Sequence, residues 1–160
     1  MTFLSRAFYR KIAGAMPILC VDVILRNRKG EYLLLKRLNE PKKGRWWPVG
    51  GRVLRGENLT AAARRKVREE AGFSVKALQP VGYFEYPGGR GPFGITDGFH
   101  TVSIVFEGSI GDRQHVVLDE QSAGWKYARQ LPKDFRVVLF PGTGSLPVSH
   151  GKGTPRGVEA

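Results

Sequence analysis

The chain is organised around Gly50-Gly51-Arg52-Val53-Leu54-Arg55-Gly56-Glu57-Asn58-Leu59-Thr60-Ala61-Ala62-Ala63-Arg64-Arg65-Lys66-Val67-Arg68-Glu69-Glu70-Ala71-Gly72-Phe73. From Asn58 to Ala71 there is neither Gly nor Pro, the composition is rich in Ala, and Gly72 stands where a helix C-cap is expected, so the spacing predicts a helix ending at Gly72. At 100° per residue Leu59, Ala63 and Val67 form one stripe, and Glu70 falls in the middle of it. Desolvating an unpaired carboxylate is expensive, so Glu70 must be paired, lie at the edge of the core, or hold a cation. The bland solution is two i,i+4 ion pairs, Arg65 with Glu69 and Lys66 with Glu70, worth a few tenths of a kcal/mol each.

Outward from this stretch the pattern turns to strands. Ile18 to Leu25 is β-branched and apolar, and the Asn27-Arg28-Lys29-Gly30 turn separates it from Glu31 to Arg37, so the two read as a hairpin of half-buried strands. Leu38 to Arg45 is a polar loop leading into the compact segment Trp46 to Gly51. After the helix, Val81 to Tyr86 and Phe99 to Glu107 read as strands joined by a long Gly/Pro-rich loop, and Gly124 to Ala128 as a further short strand. Pro132 at a helix N1 position predicts a second helix through about Leu139. The expected fold class is α/β, with a domain over residues 1–140 and a poorly ordered Gly/Pro-rich tail over 141–160.

Composition narrows the function classes. Of 160 residues, 26 are Lys or Arg and 14 Asp or Glu, giving a net charge of +12, while 41% are hydrophobic, which excludes a wholly disordered chain. Such an excess favours polyanionic partners: a phosphorylated metabolite, nucleic acid or an anionic surface. The longest apolar stretch, Met16 to Leu25, is interrupted by Asp22 and is half of the roughly 20 residues a bilayer span needs, so no membrane association is expected. Lone Cys20 and the lack of a convincing signal peptide lead to the expectation of a cytoplasmic location. Asp22, a charge inside an apolar run, needs a partner or a site role. His100, on an apolar strand, reads as a packed or hydrogen-bonded histidine more readily than as a base.

The spacing of Gly51, five residues, Glu57, seven residues, Arg65, then Val67, Glu69, Glu70, Gly72 and Phe73 matches eight fixed positions over 23 residues. This resembles the signature of the Nudix hydrolases, a box here covering 51–73. The resemblance implies an α/β/α sandwich with a mixed β-sheet. Lys66 stands where the family usually has Glu. In physical terms the box suits a hard cation: Mg²⁺ takes oxygen ligands in an octahedron and bridges to substrate phosphates.

A narrower resemblance, from Phe3 to about Leu131, is to the GDP-mannose mannosyl hydrolase branch. It rests on Phe3-Leu4, Pro17, Asp22, Lys36-Arg37, Gly44 and Trp46, Gly50-Gly51-Arg52-Val53, Arg65, Glu70, Thr96-Asp97, His100 and Asp119-Glu120-Gln121. It implies that Mg²⁺, with Mn²⁺ as a substitute, is held by Gly50 through its carbonyl, Glu69, Glu70 and Gln121. Arg37 and Arg52 are then diphosphate contacts, Asp22 part of the sugar site, and Arg65 a clamp on Glu69 or the diphosphate. Phe3 and Leu4 help bind nucleotide across the interface of a homodimer.

The implied reaction is attack of water at sugar C1, releasing GDP and free sugar from GDP-mannose or GDP-glucose. Ser122 occupies the place of that branch's catalytic His, Tyr86 that of a second His, and Thr101 that of a Tyr. Two other readings stay open: attack at phosphorus of a nucleotide, with Glu69 or Glu120 as base, and a non-catalytic module binding nucleotide or RNA. Retention of the acidic residues favours an enzyme over the module. Nucleic acid is therefore not the favoured partner, although the charge leaves it open.

Overall fold

The computed structural model describes residues 4–143; Phe3 and positions 144–160 of the expected tail lie outside the described residues. The described chain runs α1 (Arg6–Ala15), β1 (Ile18–Arg26), β2 (Tyr32–Arg37), β3 (Trp46–Trp47), β4 (Val49–Arg52), α2 (Leu59–Ala71), β5 (Gln79–Pro87), β6 (His100–Ser109), β7 (Ser122–Ala128) and β8 (Val138–Leu139).

The strands form one sheet in the order β3-β2-β1-β6-β5-β8, with β4 also paired to β1 and β7 to β2. β1 and β6 run parallel, from Ile18 opposite Thr101 to Arg26 opposite Ser109, and the other pairings are antiparallel, so the sheet is mixed. The expected hairpin exists only at its base. Asn27 shapes the turn, its side-chain oxygen accepting from the backbone of Lys29 and Glu31 at 3.0 and 2.9 Å, and β1 meets β2 at Arg26 and Tyr32. Beyond that β1 pairs with β4 and β6, while β2 pairs with β3 and β7.

α2 forms where the spacing places it. Asn58 caps it by accepting from Ala61 N–H at 2.8 Å, and Gly72 ends it at φ 78°, in the left-handed region that favours glycine. Its Ala62, Ala63, Val67 and Ala71 pack on Val21, Val23, Leu25, Leu35 and Phe106. The opposite face of the sheet buries Ile24, Tyr32, Leu34, Trp47, Phe84 and Val105 under Phe135. With both faces covered, β1 and β2 are buried on both sides rather than half buried, which is why their sequences read as nearly continuous apolar runs.

The layer over that second face is not the helix expected from Pro132. Phe135 N–H donates to the Pro132 carbonyl at 2.9 Å in a single turn, and Val138–Leu139 then pair with β5 at Tyr83 and Gly82. The β-branched pair Val137-Val138 favours extended backbone, and Phe135 gains more by closing the aromatic cluster with Trp47 and Phe84, at ring separations of 5.2 and 5.1 Å. Lys42 Nζ, on the β2–β3 loop, reaches Asp134 at 2.6 Å beside this plug. α1 was not anticipated: Ser5 caps it by accepting from Phe8 N–H at 3.2 Å, and Tyr9 and Ala13, one turn apart, bury against Ile18 and Phe99. Among the described residues no helix is long and apolar enough to cross a membrane.

Candidate active site

α2 and β4 lie side by side, and an open cleft of about 1170 Å³ runs from them across the ends of β1 and β6 to the β2–β3 and β5–β6 loops. Asp22, Arg37, Gly50, Arg52, Arg65, Glu69, Glu70 and Gln121, scattered over a hundred positions of sequence, all line it. Leu4 does not; it is solvent-exposed ahead of α1. Ser122 does not line it either, while its neighbours Glu120 and Gln121 do.

Glu70 is 6% exposed. One carboxylate oxygen accepts from Lys66 Nζ at 2.7 Å and the other from Gly50 N–H at 3.2 Å. Burial raises its pKa, and Lys66 and the Gly50 amide oppose that rise. Lys66 is itself buried and also reaches Glu69 at 3.2 Å. Both i,i+4 pairs expected from the helix are therefore formed, and in the same place as the candidate site.

Arg65 is wholly engaged. Its guanidinium holds both oxygens of Glu57 at 2.7 and 2.9 Å, Glu69 at 3.1 Å and the Arg52 carbonyl at 2.9 Å. The Arg65 hydrogen bonds keep Glu57 below the ordinary carboxylate range. Arg65 thus ties the β4–α2 loop to the helix at the cleft wall.

Asp22 lies opposite Gly50 in the β1–β4 register and is 7% exposed. Burial pushes its carboxyl up to about 6, against hydrogen bonds from Ser103 and Trp47 and the charge of Arg37, all of which favour the ionised form. Arg37 is steadied by donating its Nε–H to the Pro41 carbonyl at 2.7 Å. The guanidinium of Arg52 stacks 4.6 Å from the ring centre of Tyr9. Gln121 donates its side-chain N–H to Asp119 at 3.2 Å, and its backbone carbonyl accepts from Leu38, which anchors it beside the β2–β3 loop.

Sequence reasoning missed Tyr9 and Phe93, which meet edge to face at 5.3 Å and form one wall of the cleft. Tyr9 had a local signal in its four-residue spacing from Ala13; Phe93, at φ 57°, had none.

The NUDIX domain family model matches residues 16–136. The chain belongs to the Nudix family. This Nudix domain is 31% identical to the low-salt glycan biosynthesis protein Agl8 of Haloferax volcanii over 118 residues, 74% of each chain. It is 37% identical over 90 residues to the ADP-ribose pyrophosphatase of Methanocaldococcus jannaschii, covering 56% of this chain and about half (49%) of that protein. Among solved structures, a MutT protein from Methanosarcina mazei Go1 superposes with a TM-score of 0.56 at 27% identity over 69% of this chain and 75% of that one. A MutT Nudix hydrolase from Burkholderia pseudomallei, at 22% identity, gives 0.58 over 80% and 93% and supports the fold. The α/β Nudix sandwich expected from the box is thus the fold of this chain, with a mixed sheet at its centre.

Gly50, Glu69, Glu70 and Gln121, the donors expected to hold Mg²⁺, line one cleft, and the two carboxylates among them are engaged by cations of the chain. An octahedral ion takes oxygen ligands; each Glu70 oxygen accepts one bond, from Lys66 or from Gly50 N–H, and keeps a second lone pair, while Glu69 is shared by Arg65 and Lys66. Among the described residues no three His, Cys, Asp or Glu side chains gather as a metal cluster. A divalent ion at Glu70 would share that carboxylate with Lys66.

Proposed function

We propose that this Nudix domain hydrolyses a nucleoside diphosphate sugar, of the GDP-mannose or GDP-glucose kind, releasing nucleoside diphosphate and free sugar. The observation that carries this reading is the convergence of Arg37, Arg52 and Lys66 with the buried carboxylate of Asp22 in one cleft. A diphosphate leaving group needs fixed positive charge on its oxygens, which guanidinium forks and a held ammonium supply. Attack at sugar C1 also needs a group to take the proton of water, and Asp22, with a protonation equilibrium near 6, is ionised at neutral pH yet basic enough for that. In this step the water oxygen bonds C1, the bond from C1 to the bridging oxygen breaks, that oxygen departs with the diphosphate, and Asp22 takes the proton.

The name of the 31%-identical relative, a glycan biosynthesis protein, supports a sugar-bearing substrate. The divalent ion, Mg²⁺ or Mn²⁺ on Gly50, Glu69, Glu70 and Gln121, belongs to the same proposal and follows from the family resemblance. So does a homodimer, for which the exposed apolar side chains Leu4, Phe8, Met16 and Leu19 around α1 and the start of β1 offer a surface.

Incubation of the purified protein with a panel of GDP-sugars and sugar-free nucleotides, with products identified by mass, tests the reaction. GDP plus free sugar is the expected outcome. A second reading, attack at phosphorus, is favoured by Ser122 at the position of the branch's His and by the similarity to an ADP-ribose pyrophosphatase; GMP plus sugar phosphate identifies it, and no turnover leaves a binding module.

A further inference from the structure

Lys66 is a cation where the box ordinarily carries an acid, and it lies inside the cleft. Its ammonium has three donors. One goes to Glu70 at 2.7 Å and one to Glu69 at 3.2 Å, and the residue lines the cleft wall. The stem reaches that position because Gly51 has no side chain: a Cβ there would stand 2.6 Å from Lys66 Cε and 3.2 Å from Nζ. A buried lysine is costly unless its charge is matched, and here two carboxylates match it.

We infer that Lys66 is a tethered cation for the substrate diphosphate, holding the Glu69–Glu70 pair and offering its remaining N–H to a phosphate oxygen, so that nucleotide binding at this site does not require a divalent ion. The inference deepens the nucleoside diphosphate reading above and rests on it. An ammonium on Glu70 competes with any divalent ion for the same oxygen, whereas a phosphate adds a partner to the ammonium without removing one. Lys66 therefore lowers the affinity for metal and raises that for the diphosphate.

The test uses the full chain, GDP as probe, and two variants. Lys66→Met removes the charge; Gly51→Ala keeps both charges and pushes the lysine stem off the carboxylates, which covers the case in which the methionine variant fails to fold. Calorimetry of GDP binding in EDTA should show wild type binding and each variant weakened about ten- to a hundredfold, the range of a charge-assisted hydrogen bond. Mn²⁺ titration without nucleotide, read by electron paramagnetic resonance, should show tighter Mn²⁺ binding in both variants than in wild type. Equal GDP affinity in EDTA for wild type and variants, or Mn²⁺ affinity unchanged by both substitutions, overturns the role of Lys66. Wild type that binds no GDP with or without Mg²⁺ overturns instead the nucleotide reading and the diphosphate contact built on it, and the Mn²⁺ titration still decides whether Lys66 holds the carboxylate pair.

Discussion

Arg65 grips Glu57 with two nitrogens, at 2.7 and 2.9 Å, across eight positions of sequence and with both side chains mostly shielded from water. The pair closes the loop between β4 and α2 and so fixes where Glu69 and Glu70 stand relative to Gly50 and Gly51. Lysine offers a point charge in place of the fork and cannot keep both bonds and the Arg52 carbonyl together. Arg65→Lys should cost about 1.5–3 kcal/mol of stability, the worth of hydrogen bonds to a charged group, measured by urea unfolding. A loss within a few tenths of a kcal/mol would show that the loop is held by other means.

Glu70→Gln should abolish turnover. The neutral amide keeps roughly the shape of the carboxylate but removes the charge that anchors Lys66 and any bound ion, at a position with almost no solvent to compensate. Turnover at the wild-type rate with the same Mg²⁺ dependence would take Glu70 out of the site.

Arg52→Ala should lower kcat/KM by about 1.5–3 kcal/mol, the loss of a charge-assisted hydrogen bond to the diphosphate. Because the guanidinium also stacks on Tyr9, thermal melting of the same variant separates a folding defect from a catalytic one. An unchanged kcat/KM would leave Arg52 with only its stacking role.

Asp22 makes stability depend on pH in a stated direction. Its carboxyl rises from an ordinary 3.8 to about 6 on folding, so the folded state holds its proton more tightly and stability falls as pH rises between those values. Below about 3.8 the cost is absent, and above about 6 it is complete, about 2–3 kcal/mol at roughly 1.4 kcal/mol per unit. Asp22→Asn should therefore raise Tm at pH 8 and have little effect at pH 4. An equal shift at both values would mean that Asp22 ionises as easily in the fold as out of it.

In the Asp22→Asn background, which lacks the proposed base, Ser122→His should raise the rate of sugar release at least about tenfold, since a positioned base contributes about 10²–10⁴-fold. Ser122 stands opposite Arg37 in the β2–β7 register and next to Gln121, which lines the cleft. The gain should appear with a pH profile rising near 6.5. Products of GMP and sugar phosphate, unchanged by the substitution, would point to phosphorus as the atom attacked.

What the sequence made legible was local. α2, its Asn58 and Gly72 caps and the misplaced polarity of Glu70 follow from a 3.6-residue period, and both helix ion pairs form as the spacing suggests. The burial of Lys66 was hidden because the width of the buried stripe is set by Gly51 on another element, not by the helix. The helix expected after Pro132 fails for a related reason: its local start signal is outweighed by the gain from setting Phe135 between Trp47 and Phe84. The meeting of Asp22, Arg37 and Arg52 depends on which strands adjoin, and only the family resemblance anticipated it. The bonds of Glu70 to Gly50 N–H and of Arg65 to Glu57 and the Arg52 carbonyl needed the fold itself.

The ion pair between Lys42 and Asp134 ties the rim of the cleft to the aromatic cluster on the second face of the sheet, whose Trp47 and Phe84 also line the cleft. Lys42 borders the substrate cleft and rests 5.0 Å from the rings of both Trp47 and Tyr86, while Asp134 immediately precedes the phenylalanine that seals the far face of the sheet. A phosphate that drew Lys42 away from Asp134 would therefore break a contact of the turn that carries Phe135.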